Sequence, residues 1–438
     1  MSKISIFGLG YVGTVSAACF AHNGHKVIGV DKNETKIDII KNGRSPVIEK
    51  GLEPIIEDEI KSGRLLTTSD EAYAIMESNI SFICVGTPSK PNGSLDLKYI
   101  KKVIQEIGKN IVDKETYHII VVRSTVLPGT TEDVIIPILE KESGKKAGID
   151  FGVVFNPEFL RESSAVNDFF NPSRTVIGAV SKKDFKMVAA CYKDIDAPLI
   201  MTEIRTAEMV KYSDNIFHSL KVCFSNEIGN ICKALGVDSH DVMDIFSQDT
   251  KLNLSPAYLK PGFAFGGSCL PKDLRAFTYC AKTLDLDLPL INSIIPSNEM
   301  QIKNALQRVL GLEKKRIGIL GFAFKAGTDD LRESPIVKLI EALLGKGLNI
   351  KIYDRKVSLA KLFGANKEFI EKKIPHISEL MVDKIDEVLE HSEVVIIGNR
   401  SIEFTSIFPK LKPEQIVLDL VRISRTIESP AKYDGLCW

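Results

Sequence analysis

The sequence lacks the features that mark several classes of protein. The chain has 57 Lys and Arg residues and 57 Asp and Glu residues, so its formal net charge is zero. No block of like charges stands out that could bind a phosphate backbone. No apolar run reaches the roughly 18 residues that a membrane span needs. We therefore expect neither nucleic acid nor a membrane as a partner, and we expect a cytoplasmic protein.

Cysteine is also scarce, with eight residues in 438 and no CxxC pair. This excludes a disulfide scaffold and a zinc site, so we expect no metal and free thiols in a reducing compartment. Seven of the eight fall in predicted helices, at the end of a strand or at the C-terminus. We predict that these seven are structural: Cys19, Cys84, Cys191, Cys223, Cys232, Cys280 and Cys437.

Strand-like and helical segments alternate in two parts of the chain, separated by a long helical pattern from about Ile204 to Leu235. The pattern predicts an α/β protein with two Rossmann-like, doubly wound parallel-sheet domains, joined by this long central helix and a helical middle domain. A chain of 438 residues exceeds what one hydrophobic core usually supports. We place the domains at 1–202, 203–300 and 301–438.

The segment Gly8-Leu9-Gly10-Tyr11-Val12-Gly13 follows a predicted strand and opens a helix. Its small residues permit a tight turn and let backbone amides approach a pyrophosphate. Asp31 ends the next strand about 20 residues later, where it can accept a hydrogen bond from a ribose 2′-OH and repel a 2′-phosphate. The sequence therefore favours NAD over NADP, although Lys32 and Lys36 are close.

The segments 84–88 and 123–130 each close a predicted strand at its carboxyl end, where open α/β sheets bind ligands. Polar residues that only cap helices explain either segment equally well. On the long helix, helical periodicity aligns a mostly polar stripe that consists of Glu208, Lys211, Asn215, His218, Val222 and Asn226. A solvated helix face is the alternative, but neighbouring apolar side chains such as Met209, Phe217 and Phe224 favour a buried site.

Lys211 and Asn215 are one turn apart, so both can donate to the same developing oxyanion. His218 either donates to a phosphate or sugar hydroxyl or is a structural histidine. Cys269 follows a glycine-rich segment and precedes Pro271, which suits the first turn of a helix. The helix dipole and Lys272 would stabilise its thiolate.

The run Phe263-Ala264-Phe265-Gly266-Gly267-Ser268-Cys269-Leu270-Pro271-Lys272-Asp273 closely resembles the nucleotide-sugar 6-dehydrogenases that oxidise UDP-glucose or GDP-mannose. The resemblance covers nearly the whole chain. It is strongest to the GDP-mannose branch at 82–88, 156–163, 251–255, 325–335 and the closing Cys437-Trp438. Between Ser255 and Pro261 the chain carries less arginine and tyrosine than that branch.

The resemblance implies residue roles by matching position. The residues that would hold NAD are Gly8, Gly10, Tyr11, Val12, Gly13, Asp31, Lys36, Thr87 and Thr125, with Lys272 and Arg332 near it. The residues that would line the sugar-nucleotide site are Glu162, Lys211, Asn215, His218, Asn226, Tyr258, Lys260 and Lys325. The resemblance also implies a central dimerisation domain and a C-terminal nucleotide-sugar domain, in an oligomer of two or more subunits that share their substrate sites.

The expected chemistry is a four-electron oxidation of a C6 alcohol to a uronate, with GDP-mannose as the first candidate substrate and a UDP-sugar as the alternative. A base, either Glu158 or a water held by Thr125 and Asp273, takes the alcohol proton. Cys269 then forms a thioester, and water activated near Asp273 hydrolyses it. Two rival hypotheses are a single-step hydroxyacid dehydrogenase and an NAD-sensing protein without activity.

Overall fold

A computed structural model of the chain describes residues 1–250, 258–283, 285, 288–357 and 377–438. The chain divides into two compact units, and the division falls within the long helix. Unit 1 contains Met1–Asp214 and Arg275–Cys280, and unit 2 contains Asn215–Leu274 and Ala281–Trp438. The division into three domains predicted from the sequence stays a prediction.

Unit 1 is built on an eight-stranded sheet with the order β3-β2-β1-β4-β5-β6-β7-β8. The strands are β1 Lys3–Phe7, β2 Lys26–Val30, β3 Leu65–Thr68, β4 Ile80–Ile83, β5 His118–Val122, β6 Phe151–Phe155, β7 Thr175–Ala179 and β8 Leu199–Thr202. The helices are α1 Tyr11–His22, α2 Glu34–Lys41, α3 Leu52–Lys61, α4 Glu71–Glu77, α5 Lys98–Asn110, α6 Ile136–Ser143, α7 Ala165–Phe170 and α8 Lys182–Ala189, with a π-helical turn at Thr131–Ile135 before α6 and a 3₁₀ turn at Ala190–Tyr192.

The strand order reverses at β1, between β2 and β4, which defines the doubly wound topology and its ligand-binding edge. Strands β4, β5 and β6 are buried along their whole length because helices cover both faces of a parallel sheet. The predicted parallel sheet is therefore confirmed for β1 to β6. It is extended by β7, which pairs antiparallel with β6, and by β8, which is parallel to β7.

The long helix α9 spans Ile204–Leu235, which confirms the helix predicted from the sequence. Its polar stripe is buried at Glu208, Lys211, Asn215 and Asn226, which are 0%, 5%, 7% and 3% exposed. The apolar neighbours on α9 are more exposed to solvent than we expected, because their side chains project from the side of the helix opposite the polar stripe. Met209, Phe217 and Phe224 are 36%, 40% and 41% exposed in the single chain.

Unit 2 carries a second parallel sheet with the order β10-β9-β11-β12-β13. Its strands are β9 Arg316–Leu320, β10 Asn349–Tyr353, β11 Val394–Ile397, β12 Ile416–Asp419 and β13 Lys432–Gly435. Its helices after α9 are α10 Ser239–Phe246, α12 Pro289–Leu310, α13 Pro335–Gly345, α14 Ile377–Leu380 and α15 Ile385–His391, with 3₁₀ turns at Ile402–Ser406 and Phe408–Lys410. Helix α11, Leu270–Thr283, begins in unit 2 and contributes 275–280 to unit 1.

The two predicted Rossmann-like sheets are thus confirmed. Four strands were not predicted, namely β3, β7, β8 and β13. Of these, β3, β8 and β13 are partly exposed, whereas β7 is fully buried. No helix of the described residues is both long and apolar enough to cross a bilayer.

Candidate active site

The turn between β1 and α1 has the shape that a dinucleotide pyrophosphate requires. Gly8 has φ of +96°, and a Cβ there would lie 2.9 Å from the Cys84 carbonyl oxygen. A Cβ on Gly13 would lie 1.8 Å from the Gly8 oxygen, so helix α1 can begin this close only with glycine. A Cβ on Gly10 would meet nothing within 4 Å, so the residues leave open space where the phosphates of NAD would bind.

Asp31 follows β2 at the same edge of the sheet. Its Oδ2 accepts the Leu9 N–H at 2.8 Å and lies 3.1 Å from the Lys36 ammonium, while its Oδ1 accepts the Asn33 N–H at 2.9 Å. The carboxylate therefore ties the glycine turn to β2 and retains lone pairs for a ribose hydroxyl. Lys36 faces Asp31, so its charge is partly neutralised in this geometry.

Two further predicted residues lie at the carboxyl ends of β4 and β5. The Thr87 hydroxyl donates to the Thr125 carbonyl at 3.0 Å, which joins the two loops. Arg123 directly follows β5 and is 4% exposed. The sequence predicted no role for it. Its guanidinium donates to Asn156 at 2.7 Å and to the Tyr192 hydroxyl at 2.9 Å.

Glu158 and Lys211 form a buried ion pair inside unit 1, with 3.0 Å between Oε1 and Nζ and with both side chains less than 10% exposed. The other carboxylate oxygen accepts the Leu160 N–H at 2.6 Å. Burial by itself raises the pKa of Glu158, but Lys211, the Leu160 amide and the charge of Arg123 outweigh it and hold the pKa below its ordinary value. Glu158 is therefore a carboxylate at neutral pH.

Tyr11 and Val12 open α1, and Val12 packs partly buried against the core of unit 1. The Tyr11 hydroxyl donates to Glu49, which also accepts the Ser163 N–H at 2.8 Å and the Ala165 N–H at 3.1 Å. This network fixes the backbone beside Glu162, which is half-buried. Glu49 was not predicted from the sequence, because it lies in no recognisable motif.

Cys269 immediately precedes α11, and its carbonyl accepts the Asp273 N–H at 2.9 Å as the helix begins. The predicted position at a helix N-terminus is therefore confirmed. Among the eight thiols, all of them free, Cys269 is the one classed as exposed. A thiol at a helix N-terminus lies close to the positive end of the helix dipole, which is the setting that favours a thiolate.

Six of the other thiols are buried and Cys280 is half-buried, and the structural role predicted for all seven stays a prediction. Burial raises the pKa of Cys84 and Cys191 to about 12 and that of Cys437 to about 11, and it raises the pKa of Cys19 still further. These four groups are therefore protonated and unreactive at neutral pH.

Asp273 lies one helical turn after Cys269 and is 1% exposed. The Asn215 amide donates to its Oδ2, and the Lys272 ammonium lies 2.9 Å from its Oδ1. The sequence predicts that Lys272 stabilises the Cys269 thiolate; the structure shows its ammonium in an ion pair with Asp273, and the role at the thiolate stays a prediction. Asn215 and Asp273 are brought together although 58 residues separate them.

Other predicted substrate residues also belong to unit 2. The His218 and Tyr258 rings stack with centroids 4.6 Å apart, and the Lys221 ammonium lies 5.5 Å from the centre of the Tyr258 ring. Lys221 is 8% exposed and was missed, although it lies one turn from His218 on α9. The side-chain amide of Asn226 hydrogen-bonds two backbone groups: it accepts the Gly262 N–H at 2.9 Å and donates to the Phe263 carbonyl at 3.0 Å.

Lys260 and Lys325 are exposed, and the Arg332 guanidinium is paired with Asp330 at 2.6 Å. The segment 251–255 and its neighbours Pro256 and Ala257, singled out in the sequence, lie outside the described residues. The roles of all these residues stay predictions.

Comparison with known proteins identifies the family. Residues 2–196, 205–300 and 318–426 match the NAD binding, central and UDP binding domains of the UDP-glucose/GDP-mannose dehydrogenase family. The chain belongs to this family. The predicted family, NAD cofactor and dehydrogenase class are thereby confirmed.

Relatives match over the whole length of the chain. It is 52% identical over 437 residues, all of both proteins, to GDP-mannose 6-dehydrogenase of Pseudomonas syringae pv. tomato. It is 34% identical over 432 residues, 96% of this chain and 97% of the relative, to a UDP-glucose 6-dehydrogenase of Haloferax volcanii.

Solved structures of the family also match. A UDP-glucose dehydrogenase from Pyrobaculum islandicum superimposes with a TM-score of 0.90 at 35% identity, covering 100% of this chain and 98% of that one. A ternary complex of the Pseudomonas aeruginosa GDP-mannose dehydrogenase matches with a TM-score of 0.58 at 51% identity, covering all of both chains.

Proposed function

We propose that the protein oxidises the C6 alcohol of GDP-mannose to the carboxylate of GDP-mannuronate, with Cys269 as a covalent nucleophile. The observation that carries the proposal is the exposed Cys269 thiol at the start of α11, one turn from the buried Asn215–Asp273 pair. The choice of GDP-mannose is supported by the higher identity to relatives that bear this name than to the UDP-glucose dehydrogenases.

The first oxidation needs a proton acceptor for the alcohol. NAD, when bound, accepts the hydride of each oxidation. Glu158 is ionised at neutral pH because Lys211 holds its pKa low, so it can take the alcohol proton as the aldehyde forms. Thr125 at the end of β5 is half-buried, and its proposed role is to orient the reacting hydroxyl or a water molecule.

In the second oxidation the Cys269 thiolate adds to the aldehyde carbon, and the carbonyl oxygen becomes an oxyanion. Lys211 and Asn215, four residues apart on α9, donate to this oxyanion. Loss of the C6 hydrogen as hydride leaves a thioester on Cys269. Water, deprotonated with the help of Asp273, attacks this thioester, which releases the carboxylate and restores the thiolate.

The predicted contacts to NAD and to the sugar nucleotide belong to the same proposal. The glycine turn and Asp31 bind NAD, and the family resemblance adds Lys272 and Arg332 to the residues that contact it. The sugar nucleotide is bound by Glu162, His218, Asn226, Tyr258, Lys260 and Lys325, and we add Lys221 because its buried ammonium lies beside the stacked His218 and Tyr258 rings.

We also infer a homodimer or a larger oligomer built on α9. Met209, Phe217 and Phe224 follow one side of this helix at intervals of eight and seven residues and are 36% to 41% exposed. A second subunit that covers this row would remove apolar surface from water, at a gain of roughly 25 cal/mol per Å². Light scattering of Phe217→Glu and Phe224→Glu should show smaller particles than wild type, and an unchanged mass would contradict the inference.

We propose a cytoplasmic location, since eight free cysteines without a disulfide are typical of a reducing compartment.

The deciding assay is the NADH yield per molecule of GDP-mannose, UDP-glucose and UDP-N-acetylhexosamines. We expect two NADH per GDP-mannose and slow turnover of the UDP-sugars. Equal turnover of a UDP-sugar would overturn the substrate, and one NADH per sugar would indicate a single-step dehydrogenase. No NADH from any sugar nucleotide would favour an NAD-sensing protein.

A further inference from the structure

The loop that leads to Cys269 is held by side-chain amides from two helices of unit 2. On α12, Asn298 accepts the Phe265 N–H on Oδ1 at 2.8 Å and donates from Nδ2 to the Phe265 carbonyl at 2.9 Å. The amide of this residue thus pairs with both backbone groups of Phe265. Asn298 has no role in the reaction proposed above.

Gln301, one turn later on α12, holds the start of the same loop. It is 2% exposed, and its amide donates to the Gly262 carbonyl at 2.6 Å and to the Cys437 sulfur at 3.2 Å. From α9, Asn226 holds Gly262 and Phe263 through their backbone groups. The backbone of 262–265 is therefore fixed by three amide side chains rather than by a sheet or a helix.

The residues between this anchor and the nucleophile belong to no helix or strand. Gly266, Gly267 and Ser268 separate Phe265 from Cys269, and glycine has the widest backbone freedom of any residue. If the anchor were released, the segment could take other paths between Phe265 and the start of α11, and the setting of the thiol would change with them.

The glycine pair is enclosed by the C-terminal part of unit 2. A Cβ on Gly266 would lie 2.4 Å from the Glu333 carbonyl oxygen, and one on Gly267, whose φ is +87°, would lie 2.8 Å from the Phe324 ring. These contacts limit where the glycines can go but supply no hydrogen bond. The directional restraint comes from Asn298 at one end and from the start of α11 at the other.

We propose that Asn298 is a positioning residue for the proposed nucleophile: its two hydrogen bonds to Phe265 set the path of the Gly-Gly-Ser segment and hence the place of the Cys269 thiol. The effect of Asn298 on the position of the thiol does not depend on the proposed function, whereas its effect on catalysis rests on that function. Loss of the pair should impair thioester formation, which needs the thiol, more than the first oxidation, which does not.

The test compares wild type with Asn298→Ala and with Asn292→Ala, a control on the same helix whose side chain is exposed. The first measurement is the rate at which iodoacetamide alkylates Cys269, followed by peptide mass spectrometry with Cys280 as an internal reference. A thiol displaced from the start of α11 should be less ionised, so alkylation of Cys269 in Asn298→Ala should slow by about tenfold or more, while Asn292→Ala reacts like wild type. A wild-type rate in folded Asn298→Ala overturns the proposal.

The second measurement is the rate of NADH formation with the nucleotide-sugar alcohol and with the corresponding aldehyde. We expect Asn298→Ala to slow the aldehyde reaction more than the first turnover of the alcohol, with the KM for NAD unchanged. Equal slowing of both half-reactions would indicate a merely structural role. If alkylation slows but wild type oxidises no sugar nucleotide, the positioning inference stands and the proposed function fails.

Asn298→Asp keeps the inference testable if the alanine variant does not fold. An ionised carboxylate accepts the Phe265 N–H but repels the Phe265 carbonyl, whereas a protonated carboxyl reproduces both amide hydrogen bonds. Relative to wild type, its rate of Cys269 alkylation should therefore recover as the pH falls toward about 4. A constant ratio across the pH range would overturn the proposal.

Discussion

Replacing Lys211 with methionine separates the structural from the catalytic role of the buried ion pair. At 3.0 Å and an effective dielectric constant of about 20, the two charges attract by roughly 5 kcal/mol, part of which offsets the cost of burying them. Removing one partner leaves Glu158 buried and unpaired. We therefore expect Lys211→Met to lower the free energy of unfolding by about 3–5 kcal/mol at pH 7.

The difference in stability between Lys211→Met and wild type should depend on pH. In wild type the pKa of Glu158 lies below its ordinary value, so the pair stabilises the fold at neutral pH and this stability is lost as the pH falls through the folded pKa. In Lys211→Met burial dominates and the pKa rises above its unfolded value. Protonation then relieves the penalty, so the stability difference between the two proteins should shrink as the pH falls from 7 to 5.

Urea titrations followed by circular dichroism at several pH values measure this difference. Lys193→Met is the matched control, because this lysine is 59% exposed and its contact with Asp194 is 3.9 Å long, so its loss should cost about 0.5 kcal/mol or less. The double variant Lys211→Met with Glu158→Gln should recover much of the stability but not the activity. A loss below about 1 kcal/mol, or a difference that does not change with pH, would refute the reasoning.

Three further predictions concern other residues. Cys269→Ser should slow uronate formation by several powers of ten while NAD binding, measured by calorimetry, stays as in wild type; wild-type turnover would contradict the covalent scheme. Gly13→Ala should weaken NAD binding by at least about tenfold, because a Cβ would lie 1.8 Å from the Gly8 oxygen; unchanged affinity would show that the turn relaxes freely. Burial lowers the pKa of His118 to about 3, so stability should fall as the pH drops from about 6.5 toward 3, by up to about 5 kcal/mol. His118→Gln should flatten this dependence in acid titrations, and an unchanged curve would show that other groups cause it.

Local signals in the chain were enough to predict the glycine turn, Asp31 and the long helix. Each depends on a short stretch of residues: the turn needs glycine at fixed spacing, and α9 needs helical periodicity without proline. Cys269 at a helix start was predictable for the same reason, since Pro271 suits a first helical turn and the preceding glycines permit the bend. The partly exposed strands β3, β8 and β13 gave too weak a pattern, and the buried strand β7 was missed as well.

The partners of the polar groups were decided by the tertiary structure. Lys272 forms an ion pair with Asp273, its neighbour in sequence, whereas folding joins Glu158 to Lys211 across 53 positions of chain and Asn215 to Asp273 across 58. Buried charges must find partners wherever the packing brings them, and no local pattern records that choice. The sequence by itself determined which chemistry this protein can carry, and the packing of distant segments decided which groups are buried, paired and available for it.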